Sequence, residues 1–126
     1  MIVLDTHVWF WAVAAPHLLS DAARVAIQSS SEVGISAITC WEISMLAEKG
    51  RIVVDLPVCQ WLEDALRCSG MILMPIVPAV GALAARLPMH GDPADRLIVA
   101  TAITAGCELV TKDHQIRTSG LVSTIW

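Results

Sequence analysis

Charge is scarce in this chain of 126 residues: 16% of positions are charged, and 8 Lys and Arg stand against 12 Asp and Glu, for a net charge of −4. Without a basic surplus, the chain cannot grip nucleic acid by global attraction. A nucleic-acid partner would have to be held by local basic groups and bound metal. Unbroken apolar runs are missing too. The longest charge-free stretch, Cys68 to Ala85, is nominally long enough to span a membrane, yet Gly70, Pro75, Pro78 and Gly81 divide it into a strand, a turn and a helix start. The opening Met1-Ile2-Val3-Leu4-Asp5 has no positive n-region and meets an acid at once, which argues against a secretory signal. Cys40, Cys59, Cys68 and Cys107 show no CxxC spacing and lie in apolar segments, so reduced, buried thiols and a cytoplasmic location are expected. No repeat, low-complexity tract or Gly/Ser linker divides the sequence, and a single domain over 1–126 is expected.

What the chain does have is apolar bulk, 56% of its residues, enough for several buried elements. Ile2–Leu4 and Glu108–Thr111 read as short buried strands, Val33–Ser36 as another, Met71–Ile76 as the clearest, and Leu121–Ile125 as an edge strand. Helices are expected from Thr6 to Ala14, from Ser20 as N-cap to Ser29, and from Thr39 to Lys49 before Gly50. Others should run from Pro57 to Cys68, from Pro78 to Leu87, and from Asp92-Pro93 to Gly106. Strands alternating with helices predict an α/β fold, a mostly parallel sheet of about five strands covered on both faces.

The acids are placed unevenly on that framework. Asp5 ends the first strand and Asp113 lies just past a late one; Glu42, Asp92 and Asp95 stand in the first turns of two helices. In an open parallel sheet, strand ends and the helix starts that follow share one edge, where ligands bind. Two carboxylates about 5 Å apart repel by roughly 3 kcal/mol at an effective dielectric near 20. Several together must stay partly protonated or be neutralised by a cation. An all-oxygen site suits Mg²⁺ or Mn²⁺ rather than zinc, and such ions activate water and stabilise charge in phosphodiester hydrolysis. Each acid also has a plainer reading. Thr39-x-x-Glu42 matches a capping box, Asp92 before Pro93 an N-cap, Asp95 a first-turn acid and Asp113 a turn residue. Asp5 is harder to dismiss, since Ser or Asn would end the strand as well.

His7, His90 and His114 flank these acids, which leaves a mixed His/carboxylate transition-metal site open, although no HExxH pair supports it. Of the five tryptophans, Trp9, Trp11 and Trp41 lie near the acids in sequence, where core packing and a partner surface are both open.

Taken in order, Met1-Ile2-Val3-Leu4-Asp5-Thr6-His7-Val8-Trp9, Ile35-Ser36-Ala37-Ile38-Thr39-Cys40-Trp41-Glu42-Ile43, Lys49-Gly50-Arg51-Ile52, His90-Gly91-Asp92-Pro93-Ala94-Asp95-Arg96-Leu97-Ile98 and Leu109-Val110-Thr111-Lys112-Asp113 resemble a PIN domain of the VapC-type toxins of type II toxin–antitoxin pairs. The resemblance implies a PIN-like (Rossmann-like) three-layer sandwich and a Mg²⁺- or Mn²⁺-dependent endoribonuclease. Its catalytic and metal-holding acids would be Asp5, Glu42, Asp95 and Asp113, with Asp92 either a ligand or only a cap. Thr6 and Thr111 would orient carboxylates or waters, and Arg96, Lys112 and Arg117 would hold RNA. For Lys49 and Arg51 a solvated charge is the preferred reading. The resemblance also implies a homodimer, inhibited by a small antitoxin protein seated in the active-site groove. Ile116 departs from relatives, which often carry an aromatic residue there. Two other readings stay open: a strand-end-aspartate phosphatase, against which Asp5-Thr6-His7 lacks a second aspartate two residues on, and a non-catalytic RNA- or protein-binding module.

Overall fold

Each apolar run too short for a helix becomes a strand of one sheet. A computed structural model of the chain describes residues 1–67, 70–89 and 91–126. Strand β1 (Ile2–Leu4) lies at the centre, paired with β2 (Val33–Ser36) on one side and β4 (Glu108–Val110) on the other. Outer strands β3 (Met71–Met74) and β5 (Thr124–Ile125) complete the order β3-β2-β1-β4-β5, with every pairing parallel.

Parallel neighbours need crossovers, and helices supply them. Between β1 and β2 run α1 (Thr6–Ala14), a 3-10 turn at Pro16–Leu18 and α2 (Asp21–Ser29); between β2 and β3, α3 (Ala37–Glu48) and α4 (Val58–Leu66). The longest, α6 (Pro93–Ala105), follows α5 (Pro78–Arg86) on the way to β4, and α7 (His114–Ser119) links β4 to β5.

The period-2 alternation of a strand sends its neighbours to opposite faces. Ile2 and Leu4 pack on one side with Val8, Trp9, Ile43 and Trp61, while Val3 packs on the other with Val80, Ile98, Val99 and Leu109. The first cluster is built on aromatics: fully buried Trp9 lies 5.8 Å from the Trp61 ring and donates its indole N–H to the Met71 sulfur at 3.2 Å. On the second face, a Cβ at Gly34 would collide with the Met74 side chain, so that position admits glycine alone without repacking. Two clusters flanking one sheet make the expected three-layer sandwich.

Several boundaries differ from expectation. Helix α3 starts at Ala37, two residues early, with Ser36 as an N-cap whose hydroxyl bonds that of Thr101 and not a helix N–H; Thr39 therefore lies inside the helix and the capping box does not form. Strand β3 stops at Met74 because Pro75 has no N–H to continue a ladder. Strand β5 begins at Thr124, not Leu121, and does lie at a sheet edge. Helix α7 was not expected at all: six residues are too few for a periodic signal, though Asp113 at its start and Gly120 (φ 71°) after its end mark it. The expected helix end at Cys68 lies outside the described residues. Cys40 and Cys107 are only partly buried and Cys59 is exposed, which corrects the expectation of buried thiols; these three are free. No helix of the described residues is long and apolar enough to cross a membrane.

Candidate active site

The carboxyl ends of β1 and β4 and the starts of α1, α6 and α7 meet at one edge of the sheet, with one face of α3 beside them. There, a pocket of about 390 Å³ is lined by Asp5, Glu42, Asp92, Asp95 and Asp113. All five acids singled out in the sequence border this one cavity. They do so from four separate segments, as a parallel sheet with its ligand edge at the strand ends requires.

Asp5 leaves β1 and caps α1: its Oδ1 accepts the Thr6 N–H at 2.8 Å, so it does have a structural use after all. Its Oδ2 accepts the Thr111 hydroxyl at 2.6 Å, and that same Thr111 oxygen accepts the Asp113 N–H at 3.0 Å. Thr111 thereby ties the end of β4 to the end of β1. Burial raises the Asp5 carboxyl above the usual carboxylate range, with the Thr111 hydroxyl and Thr6 N–H opposing it.

Glu42 sits in the second turn of α3, not the first, and is buried. The Thr6 hydroxyl donates to its Oε1, and the Thr39 hydroxyl lies 3.5 Å from that of Thr6. Burial raises Glu42 too, again against a threonine hydroxyl, and the neighbouring Asp5 charge adds to it. Thr6 and Thr111, the threonines expected to orient carboxylates or waters, thus each donate a hydroxyl to one of the buried acids.

Asp95, in the first turn of α6, is pushed up to about 7, first by burial and then by the charges of Asp5, Glu42, Asp92 and Asp113. Asp92 caps the same helix, its Oδ1 accepting the Ala94 N–H at 2.9 Å; Asp113 caps α7 through the Ile116 N–H at 3.0 Å. Among the described residues, no three His, Cys, Asp or Glu side chains form a ready-made ligand set, so the acids share a pocket without closing on one point.

The basic residues sort differently from expectation. Lys112 lines the pocket with its ammonium 5.7 Å from the Trp11 ring centre. Arg117 borders neither this pocket nor its neighbour. Arg96 is already engaged: its guanidinium donates to the carbonyls of Ala84 (3.0 Å), Ala85 (3.1 Å) and Met89, pinning the end of α5 and the loop after it to α6. A fork with three N–H groups on backbone carbonyls holds structure, whatever else it contacts.

Arg51, for which a solvated charge is the preferred reading, is indeed exposed and also lines the pocket. Gly50 (φ 69°) ends α3 in the left-handed conformation, and the Arg51 N–H turns back onto the Leu46 carbonyl at 2.9 Å. This helix-ending motif swings Arg51 toward the face that carries Glu42, Met45 and Leu46. The Gly-Arg pair after a helix was the available signal. His7 borders the pocket 5.8 Å from Trp11; His114 does not border it, and His90 lies outside the described residues. A mixed histidine site therefore has one candidate here. Trp11 belongs to the wall of the site, Trp9 and Trp61 to the core, while Trp41 is 55% exposed.

The PIN domain family matches the chain over residues 2–119. Ribonuclease VapC22 of Mycobacterium tuberculosis is 45% identical over 121 residues, covering 92% of this chain and 89% of that protein. Among solved structures, a toxin–antitoxin complex from Klebsiella pneumoniae superposes with a TM-score of 0.68 at 20% identity, over 98% of this chain and 97% of that one. VapBC2 from Rickettsia felis, bound to a DNA fragment from its promoter, gives the same TM-score at 16% identity, again over 98% and 97%. At such identities these structures speak for the fold alone.

Proposed function

The chain belongs to the PIN domain family, among its VapC-type members, and on that premise we propose that it is the endoribonuclease toxin of a type II toxin–antitoxin pair, acting on RNA in the cytoplasm. The relative named a ribonuclease supports the activity. The observation that carries the chemistry is five acids around one pocket, with Asp95 pushed up to about 7 by burial and by the other four.

That crowding fits a hard divalent cation. The donors are all carboxylate oxygens, and a double positive charge would relieve the repulsion that adds to burial in raising Asp95. Asp5, Glu42 and Asp95 would hold Mg²⁺ or Mn²⁺, with Asp113 beside them and Asp92 at the rim. When bound, the cation supplies water activation and charge stabilisation for in-line displacement at phosphorus.

The chain's own residues do the rest. Thr111 and Thr6 fix one oxygen each of Asp5 and Glu42, and the second Glu42 oxygen has no hydrogen-bond donor among the described residues. Lys112 and Arg51 offer positive charge to the phosphodiester backbone across from the acids. Attack by water rather than by the ribose 2′-hydroxyl leaves 5′-phosphate and 3′-hydroxyl ends. The antitoxin and a second copy of the chain complete the proposal as partners.

The test is RNA cleavage with and without EDTA, followed by chemical identification of the ends. Metal-dependent cutting with 5′-phosphate ends is expected. Ends with 2′,3′-cyclic phosphate would sink the water mechanism. RNA bound but never cut would favour the non-catalytic module.

A further inference from the structure

The row of acids has a second side. A smaller pocket of about 280 Å³ shares Asp95 and Asp113 with the larger one, so these two carboxylates stand as a divide between cavities. We propose that this smaller pocket holds one unpaired nucleobase of the RNA, adjacent to the cut, and that Gln115 reads its edge with a preference for adenine. The proposal rests on the nuclease reading above and extends it to the choice of bond.

Charge sorts the two cavities. The larger one carries Lys112 and Arg51, partners for a phosphate backbone; the smaller has no Lys or Arg among its described lining residues, only the two shared acids, and would repel phosphate. What it offers instead suits a base. Pro88 and Met89 from the loop before α6 give apolar surface for the face of a ring, above buried Ile116 of α7, which closes the floor. Both supports are fixed. Arg96 holds the Met89 carbonyl, and the Asp113 carboxylate holds the Ile116 N–H at 3.0 Å.

Of the polar side chains in this pocket, the Thr118 hydroxyl donates to the His114 carbonyl at 2.8 Å and Ser119 to that of Ile116 at 2.7 Å. Gln115 is exposed at the pocket wall, and its amide has no hydrogen-bond partner among the described residues. It presents two donors and one acceptor. A glutamine amide pairs in two-pronged fashion with the N6 donor and N7 acceptor of adenine; a glutamate in its place accepts from the N4 amine of cytosine.

The experiment is sequencing of cut ends from a randomised single-stranded RNA pool, with wild type, Gln115→Ala and Gln115→Glu, each scored within its own cut population. Wild type should favour adenine at one position flanking the cut, by about tenfold. Gln115→Ala should flatten that position alone, and Gln115→Glu should move the preference to cytosine. Identical preferences in all three proteins would overturn the proposal, as would a wild type indifferent to base at both flanking positions. Loss of all cutting in both variants would also overturn it, making Gln115 something other than a reader. If wild type itself cuts no RNA, the nuclease reading falls and this one with it, a result distinct from cutting without preference.

Discussion

The floor and the rim of the pocket use the same residue type in opposite ways. At the floor, Asp5 and Glu42 are buried, and each has an oxygen held by a threonine hydroxyl from another segment. At the rim, exposed Asp92 and half-buried Asp113 each bind an N–H of the helix they begin. The rim acids return stability for the space they occupy, since an N-cap contributes about 1 kcal/mol. The floor acids are opposed by burial, which raises both above the carboxylate range. Asp5 shows that the two uses overlap, for it also caps α1. A cap therefore does not exclude a ligand. What separates floor from rim is whether losing the charge helps the fold.

Asp5→Asn tests that separation with the largest expected effect. RNA cleavage should fall to background, while thermal stability in EDTA should rise by a few degrees, because removing a buried charge outweighs the one bond an amide gives up, that to the Thr6 N–H when its oxygen accepts from Thr111. Unchanged melting and unchanged cutting together would remove Asp5 from any carboxylate cluster.

Next in size is the dependence of stability on pH without metal. A carboxyl whose folded value lies above its unfolded value binds protons more tightly when folded, so the fold loses stability as pH climbs between the two. For Asp95 that window runs from 3.8 to about 7, worth at most about 4 kcal/mol before solvent screening reduces it; Asp5 and Glu42 shift in the same direction. In EDTA, the melting temperature should drop between pH 5 and pH 8, and added Mg²⁺ should restore most of the loss at pH 8. A melting temperature that stays level in EDTA across that range would break the contrast between floor and rim.

The rim predicts the reverse pattern at smaller scale. Asp92→Ala removes the bond to the Ala94 N–H and should lower stability by about 1 kcal/mol, or about 4 °C, with far less loss of cleavage than Asp5→Asn. Cutting abolished with no change in melting would move Asp92 from the rim to the floor.

How much of this was legible in the sequence follows from what each feature depends on. Acids at strand ends and helix starts could be read because short apolar runs alternating with helices force a parallel sheet, and that sheet has one ligand edge; Asp5 and Asp113 were found at strand ends and Asp95 at a helix start. The role of Glu42 as an acceptor from Thr6 was hidden behind a local capping pattern, because Thr6 and Glu42 are 36 residues apart and only the fold brings them together. The structural use of Arg96 was hidden for a related reason: its three carbonyl partners belong to the previous helix and loop, which nothing in its own segment announces. Helix α7 was missed because six residues carry no period. Local chemistry was legible and pairing between segments was not.

The smallest expected effect probes the coupling between floor and rim. The Thr111 hydroxyl donates to Asp5 and accepts from the Asp113 N–H, so one oxygen serves both regions. Thr111→Val leaves the shape of this fully buried side chain nearly intact and removes both bonds. Since the hydroxyl opposes the burial that raises Asp5, its loss should raise that carboxyl further. The acid limb of the pH–rate profile for cleavage should then move toward higher pH, by roughly half a unit to one unit. Thr111→Ser, which keeps the hydroxyl, should leave the limb near its wild-type position. If Val and Ser variants give superimposable profiles, the hydroxyl does not tune Asp5, and the floor is set by burial alone.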